Sequence, residues 1–192
     1  MVQMGAVDGS DLRINSFSLV AYLPEPLAGF VDTLRREIQP GSTARGHVTL
    51  LPPRPFSTSV EEACAEIGSV LEAEHVFNVH LGQVCVFPAS GVVHLAIGQG
   101  SSILIRLHRA LNRGACEHME MFYYHPHVTA AQGLAREDVP KATEVAVARW
   151  QSYEGPRVFA VDRLTLVQNT VSNDWRNLHE FELRTPVISY VD

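Results

Sequence analysis

Gly46-His47-Val48-Thr49-Leu50-Leu51 and His127-Val128-Thr129-Ala130-Ala131 carry the same tripeptide, His-Val-Thr, in two short apolar runs. In an extended strand successive side chains point to opposite faces, so residues i and i+2 lie side by side. Each copy therefore offers one imidazole and one hydroxyl on one face, and turns Val48 or Val128 to the other. Two such strands brought together would set two imidazoles and two hydroxyls around one anion. Imidazole titrates at about pH 6.5, so near neutrality one ring can accept a proton while the other gives one. Threonine hydroxyls can donate to non-bridging phosphate oxygens and stabilise the charge of a transition state. This is equipment for acid–base work on a phosphodiester, with His47, Thr49, His127 and Thr129 as the candidate catalytic residues.

Working outward, Phe17 to Leu23 reads as a strand stopped by Pro24 and Pro26. Leu27, Phe30, Val31, Leu34 and Ile38 follow helical spacing, and Pro40-Gly41 ends that helix. The first His-Val-Thr strand comes next, broken by Pro52-Pro53-Arg54-Pro55. Ser59 to Glu62 is a capping box opening a second helix, and Val76 to Phe87 is strand-like. The order then starts again. Val92 to Ile97 reads as a strand, Ser101 as the cap of a helix through Leu111, and Tyr123 to Ala131 as the second His-Val-Thr strand. A helix follows from Asp138 to about Trp150, and strands span Arg157 to Val167 and Leu178 to Leu183. The unit β-α-β-α-β thus occurs twice, with corresponding parts roughly 75–80 residues apart, a period that fits duplication rather than a solenoid. Alternation alone suggests parallel crossovers.

The 192 residues fit a single domain of two tightly packed lobes, about 17–88 and 89–185. Apolar residues make up 46 %, enough for a sizeable core. A formal net charge of −6 disfavours a long nucleic acid but allows a small nucleotide or an RNA terminus. Cys64, Cys85 and Cys116 form no CxxC pair, which fits a reducing cytoplasm. Met1 to Asp11 carries no apolar signal core, and no apolar run is long enough to cross a membrane. His75, His80, His94, His108, His118 and His179 share no metal-ligand spacing. No metal and no organic cofactor is therefore expected, and no obligate protein partner; a monomer is the expected state.

Around the motifs, Arg45 shares the strand face of His47 by period 2 and is a candidate to reach phosphate, while Arg54, among prolines at the strand exit, is a candidate to line the cleft rim and contact substrate. Tyr123 and Phe56 are candidate base-stacking residues, with core packing the competing role. Tyr22, at the end of the first strand, and His125, two before His127, are weaker candidates. Arg106, Arg109 and Arg113 form a basic stripe whose default role is a solvated helix face.

Paired H-V-T motifs in a duplicated unit, with the contexts GHVTLLPPRPF and HPHVTAA, resemble the 2H phosphoesterase superfamily, in its bacterial 2′-5′ RNA ligase/cyclic phosphodiesterase branch. The resemblance spans about Phe17 to Leu183. It implies an α+β fold with pseudo-two-fold symmetry, bilobal, with a central, largely antiparallel, barrel-like sheet and helices outside. It also implies 2′,3′-cyclic phosphates, 2′-5′ linkages or related nucleotide esters as substrates, hydrolysed or reversibly joined. Where that family often carries Arg or Lys beyond its second motif, this chain has Ala130-Ala131-Gln132. The competing expectation is a catalytically weak module that binds a nucleotide or RNA end.

Overall fold

A computed structural model describes residues 12–185. The stretch Met1 to Asp11, read above for a signal core, lies outside them. The elements run β1 (Arg13–Tyr22), α1 (Leu27–Ile38), β2 (His47–Arg54), α2 (Val60–Leu71), β3 (Phe77–Val86), β4 (Val93–Ile97), α3 (Ser101–Leu111), a 3₁₀ turn (Gly114–Cys116), β5 (His127–Ala131), α4 (Val139–Gln151), β6 (Val158–Val161), β7 (Arg163–Thr170) and β8 (Trp175–Glu182).

All eight strands form one curled antiparallel sheet, in the order β6-β3-β4-β5-β2-β1-β7-β8. The parallel crossovers suggested by alternation do not occur. The link 39–46 is long enough to return the chain to the end of the sheet that β1 left, so β2 runs antiparallel to β1. The third strand of each repeat pairs with the other repeat: β3 lies on β4, and β7 lies on β1. The helices cross over as well. α1 packs on β5, α3 packs on β2, and the pairs α1–α4 and α2–α3 touch.

Strand alternation decides the two faces. Val48, Leu50 and Val128 are buried with Leu104 and Leu107 of α3 in the main core. Ala130 and Ala131 join Leu34 of α1, Val93, and Ala142 and Ala146 of α4 in a smaller core, where the small side chains let helix and strand approach closely. His47, Thr49, His127 and Thr129 are half-buried on the opposite face.

Local chemistry explains most boundaries. Ser59 Oγ accepts from Glu62 N at 3.2 Å while a Glu62 carboxylate oxygen accepts from Ser59 N at 3.3 Å, completing the expected box at the start of α2. β2 continues through Pro52 and Pro53 to Arg54, contrary to the expected break. Its register with β5 centres on Val48↔Val128, so beyond Leu51 that edge asks no proline for an N–H. On the other edge Ser18 Oγ donates to Leu51 O at 2.7 Å. β5 starts only at His127, so Tyr123 lies outside the strand. The single strand expected over Arg157 to Val167 is two, parted at Asp162.

Ser101 does not cap α3. The N-cap is Gly100, at φ +89°, a left-handed conformation that favours glycine. A Cβ there would also stand 2.6 Å from Asn78 O. Gly100→Ala is expected to lower stability by roughly 1–3 kcal/mol, read as a shift in the urea midpoint.

Candidate active site

The two His-Val-Thr strands are neighbours at the centre of the sheet, with Val48 paired to Val128. In that register His47 lies across from Thr129, and Thr49 across from His127. Residues paired across strands share a face, with Cβ atoms about 5 Å apart. The two imidazoles and two hydroxyls therefore occupy one small diamond on the open face.

Both rings are clamped in the same way. His47 Nδ1 lies 2.7 Å from Arg45 O, and His127 Nδ1 lies 2.7 Å from His125 O. A carbonyl can only accept, so each Nδ1 carries a proton and each neutral ring keeps its lone pair on Nε2. Burial holds His47 down to about 4, with Arg35 and His127 lowering it further and the Arg45 carbonyl opposing. His127 is lowered by burial, and by His125 and Arg35, against the His125 carbonyl. Both rings are thus neutral in the free protein near pH 7.

Arg35, which the sequence reading passed over, joins the two motifs from behind. It is 5 % exposed on α1. Its Nε donates to Thr129 O at 2.7 Å, and its Nη1 donates to Ala44 O at 3.1 Å and Arg45 O at 3.3 Å. One guanidinium therefore holds the Thr129 backbone and the carbonyl that clamps His47. Asp32, one turn earlier, accepts from Gly46 N at 2.6 Å. α3 supplies the counterpart: His108 Nδ1 donates to Leu50 O at 2.7 Å, and Tyr124, stacked on that ring at 4.0 Å, donates from its hydroxyl to Thr49 O at 2.8 Å. The available signal was a charged or polar residue at a core position of an amphipathic helix, beside Leu34 in one case and Leu107 in the other.

The side walls differ. Beside His47 stands Tyr22, its cross-strand partner, with ring centroids 6.4 Å apart. The Arg45 guanidinium lies 4.2 Å from the Tyr22 ring centre, which puts both candidates at the site. Beside His127 stands Phe87, edge-on with centroids 4.9 Å apart, and stacked at 3.9 Å on His94. His94 pairs with Thr129 across strands and is held down to about 4, chiefly by burial. His94 was read only as lacking a metal spacing. Its place in β4 between the buried Val93 and Leu95 was the missed signal.

Two substrate candidates are corrected. Arg54 is buried and all three of its guanidinium nitrogens are engaged: Nε on Pro52 O, Nη1 on Asn112 and Cys116 O, and Nη2 on Glu120 in an ion pair. Phe56 is buried and stacked on Phe17 at 4.2 Å in the core. Tyr123 is fully exposed in the segment leading to β5. Arg106 of the basic stripe is bound to Glu74 by two contacts of 2.6 Å. Among the described residues no cluster of three or more His, Cys, Asp or Glu is placed to hold a metal ion, and no helix is long and apolar enough to cross a membrane.

No curated protein sequence matches the chain. Its fold matches solved structures. Escherichia coli LigT complexed with 3′-AMP aligns at TM-score 0.61 and 18 % identity, covering 88 % of this chain and 98 % of LigT. LigT complexed with NADP+ aligns at TM-score 0.58 and 20 % identity, covering 89 % and 98 %. Kluyveromyces marxianus Usb1 with uridine monophosphate aligns at TM-score 0.53 and 14 % identity, covering 85 % and 97 %. The model of the 2′-5′ RNA ligase superfamily matches residues 23–173. A duplicated antiparallel sheet with paired histidine strands at its centre agrees with that match, and the chain belongs to the 2′-5′ RNA ligase (2H phosphoesterase) superfamily.

Proposed function

We propose that this protein is a metal-independent cytoplasmic phosphoesterase acting on 2′,3′-cyclic or 2′-5′ phosphodiesters of a nucleotide or RNA terminus. The observation that carries this reading is the matched pair of clamped imidazoles, each with Nδ1–H on a carbonyl two residues back and Nε2 left for substrate. The bound 3′-AMP, NADP+ and uridine monophosphate of the structural relatives favour a nucleotide ligand.

In ring opening of a cyclic phosphate, water attacks phosphorus and one Nε2 takes its proton. The bond from phosphorus to one ribose oxygen breaks, and the other ring protonates that oxygen. Thr49 and Thr129 hydroxyls donate to the non-bridging oxygens. Joining a 5′-hydroxyl to a cyclic phosphate uses the same groups in reverse. Arg45, which lies over the Tyr22 ring, holds the substrate on the His47 side in this reading.

The acid must be a cation, yet both rings are held neutral in the free protein. The substrate supplies the missing proton's stabilisation, because an anion within a few ångströms favours the charged imidazole. Anion binding near pH 6 is accordingly expected to take up protons. Sulfate, which does not titrate in this range, should show a binding heat that varies with the ionisation enthalpy of the buffer.

His47→Ala and His127→Ala should each lower turnover roughly 10²–10⁴-fold with the urea midpoint little changed; full activity in either refutes the assignment. A panel of nucleoside 2′,3′-cyclic phosphates and 2′-5′ oligonucleotides, run in EDTA with products weighed, tests the reaction class. Turnover should be indifferent to EDTA, and tight binding without product would indicate the binding module instead.

Arg35→Met removes a donor from the Thr129, Ala44 and Arg45 carbonyls, the last of which keeps His47 Nδ1, and should cost about 1–3 kcal/mol. It also removes a positive charge that lowers both imidazoles. The acid limb of kcat/KM is therefore expected to move to higher pH, a shift that loss of packing alone does not produce.

A further inference from the structure

His94 is a third imidazole on the face of the paired histidines, and a bulge puts it there. β4 and β5 pair Val93 with Ala131 but His94 with Thr129, so β5 carries an extra residue, Ala130, between the two pairs. Continuing the first register would set Leu95 across from Thr129 and turn His94 into the small core beside Ala130. Bulges re-aim side chains in this way next to functional sites. The ring is 2 % exposed and stacks on Phe87 with centroids 3.9 Å apart. It stands 5.2 Å from the His127 ring, inclined at 68°, and 6.2 Å from the exposed His125. One row across the sheet thus reads Tyr22, His47, Thr129, His94.

Its proton is held differently from those of His47 and His127. Nδ1 lies 3.4 Å from Val92 O, beyond an ordinary N–H···O bond, and that oxygen already accepts from Phe87 N at 3.0 Å. Nε2 has no hydrogen-bond partner among the described residues. Tyr153 OH is the one polar side-chain atom among them that is both sealed in and unpartnered, so His94 Nε2 opens onto the face. Burial keeps the ring neutral, held down to about 4. A neutral imidazole carries one N–H, on either nitrogen. Carbonyls at 2.7 Å commit His47 and His127 to Nδ1–H, so their Nε2 atoms give a proton only as cations. His94 alone is free to place its single proton on Nε2 and donate it without becoming charged.

We propose that His94 contacts substrate as a neutral Nε2–H donor to the phosphate oxygen on the Thr129 side. This rests on the reading that the site receives a phosphodiester, and adds one group to it. Residues paired across strands hold their Cβ atoms about 5 Å apart, so an oxygen that accepts from Thr129 lies within an imidazole's length of His94. Beyond His47, at the other end of the row, Arg45 supplies a cation over Tyr22; beyond Thr129 the donor is His94. Hydrogen bonds to a charged oxygen are of the stronger kind. The exchange of protons between His47 and His127 is left as it stands, because His94 neither takes the proton of water nor returns one to the ribose oxygen. Phe87 holds the ring plane from one side, and its amide occupies the carbonyl that would draw the proton back to Nδ1.

Two substitutions separate this role from packing. His94→Phe keeps a flat ring against Phe87 and removes both nitrogens. His94→Gln loses the ring but sets an amide N–H the same number of bonds from Cβ as Nε2. With a nucleoside 2′,3′-cyclic phosphate, kcat/KM should fall roughly 10–100-fold in His94→Phe. His94→Gln should regain most of that loss although its urea midpoint is the lower of the two. The opposite ranking, or equal losses, overturns the proposal. Inorganic sulfate gives an arm without turnover. Its Kd by calorimetry should weaken roughly tenfold in His94→Phe and recover in His94→Gln; a Kd that follows the order of stability overturns the proposal. A last arm needs no variant: nitrogen–proton correlation spectra of the wild-type histidines with sulfate bound should show His94 as the Nε2–H tautomer. His94 found as the Nδ1–H tautomer, or as a cation, overturns the proposal. If wild type opens no cyclic phosphate while the sulfate and tautomer results hold, the reaction assignment fails and the donor stands.

Discussion

One pairing governs the architecture: Val48 against Val128 in adjacent antiparallel strands. Because side chains alternate along a strand, burying those valines and Leu50 beneath α3 commits the flanking histidines and threonines to the opposite face. A slip of one residue would send the imidazoles into the apolar core and the valines into the cleft. The requirement to bury the core and the requirement to assemble the site are the same requirement, met by one register.

That register is reinforced from behind by polar groups that are themselves buried. Arg35 of α1 and His108 of α3 occupy corresponding places in the two repeats, and each crosses to the motif of the other. Carbonyls of Thr49, Leu50 and Thr129 lie beside a site that must stay free of competing backbone contacts. Side-chain donors satisfy them, because an unpaired buried carbonyl is costly. The same arrangement introduces electrostatics. Burial holds both imidazoles below their ordinary range, and the Arg35 cation behind them adds to that lowering.

Much of this was legible in the chain. Period-2 and period-3.6 patterns located the strands and helices, and the repeated tripeptide located the open face. The alternation of strands and helices misled on direction, because it does not record whether the link after a helix returns the chain to its starting end. Prolines 52 and 53 also misled, because their tolerance depends on which edge of β2 lacks a partner. Arg54 and Phe56 stand near the first motif in sequence but belong to the core, where Glu120 and Phe17 receive them. Arg35, His94 and Phe87 reach the site through tertiary packing, and the sequence hints at the first two only as polar residues at core positions of α1 and β4.

The exchange of third strands, β3 onto β4 and β7 onto β1, means that neither repeat closes its own sheet. A single ancestral copy would have had to borrow that strand from a twin. Joining the two repeats in one chain supplies that strand internally, at no cost in association entropy.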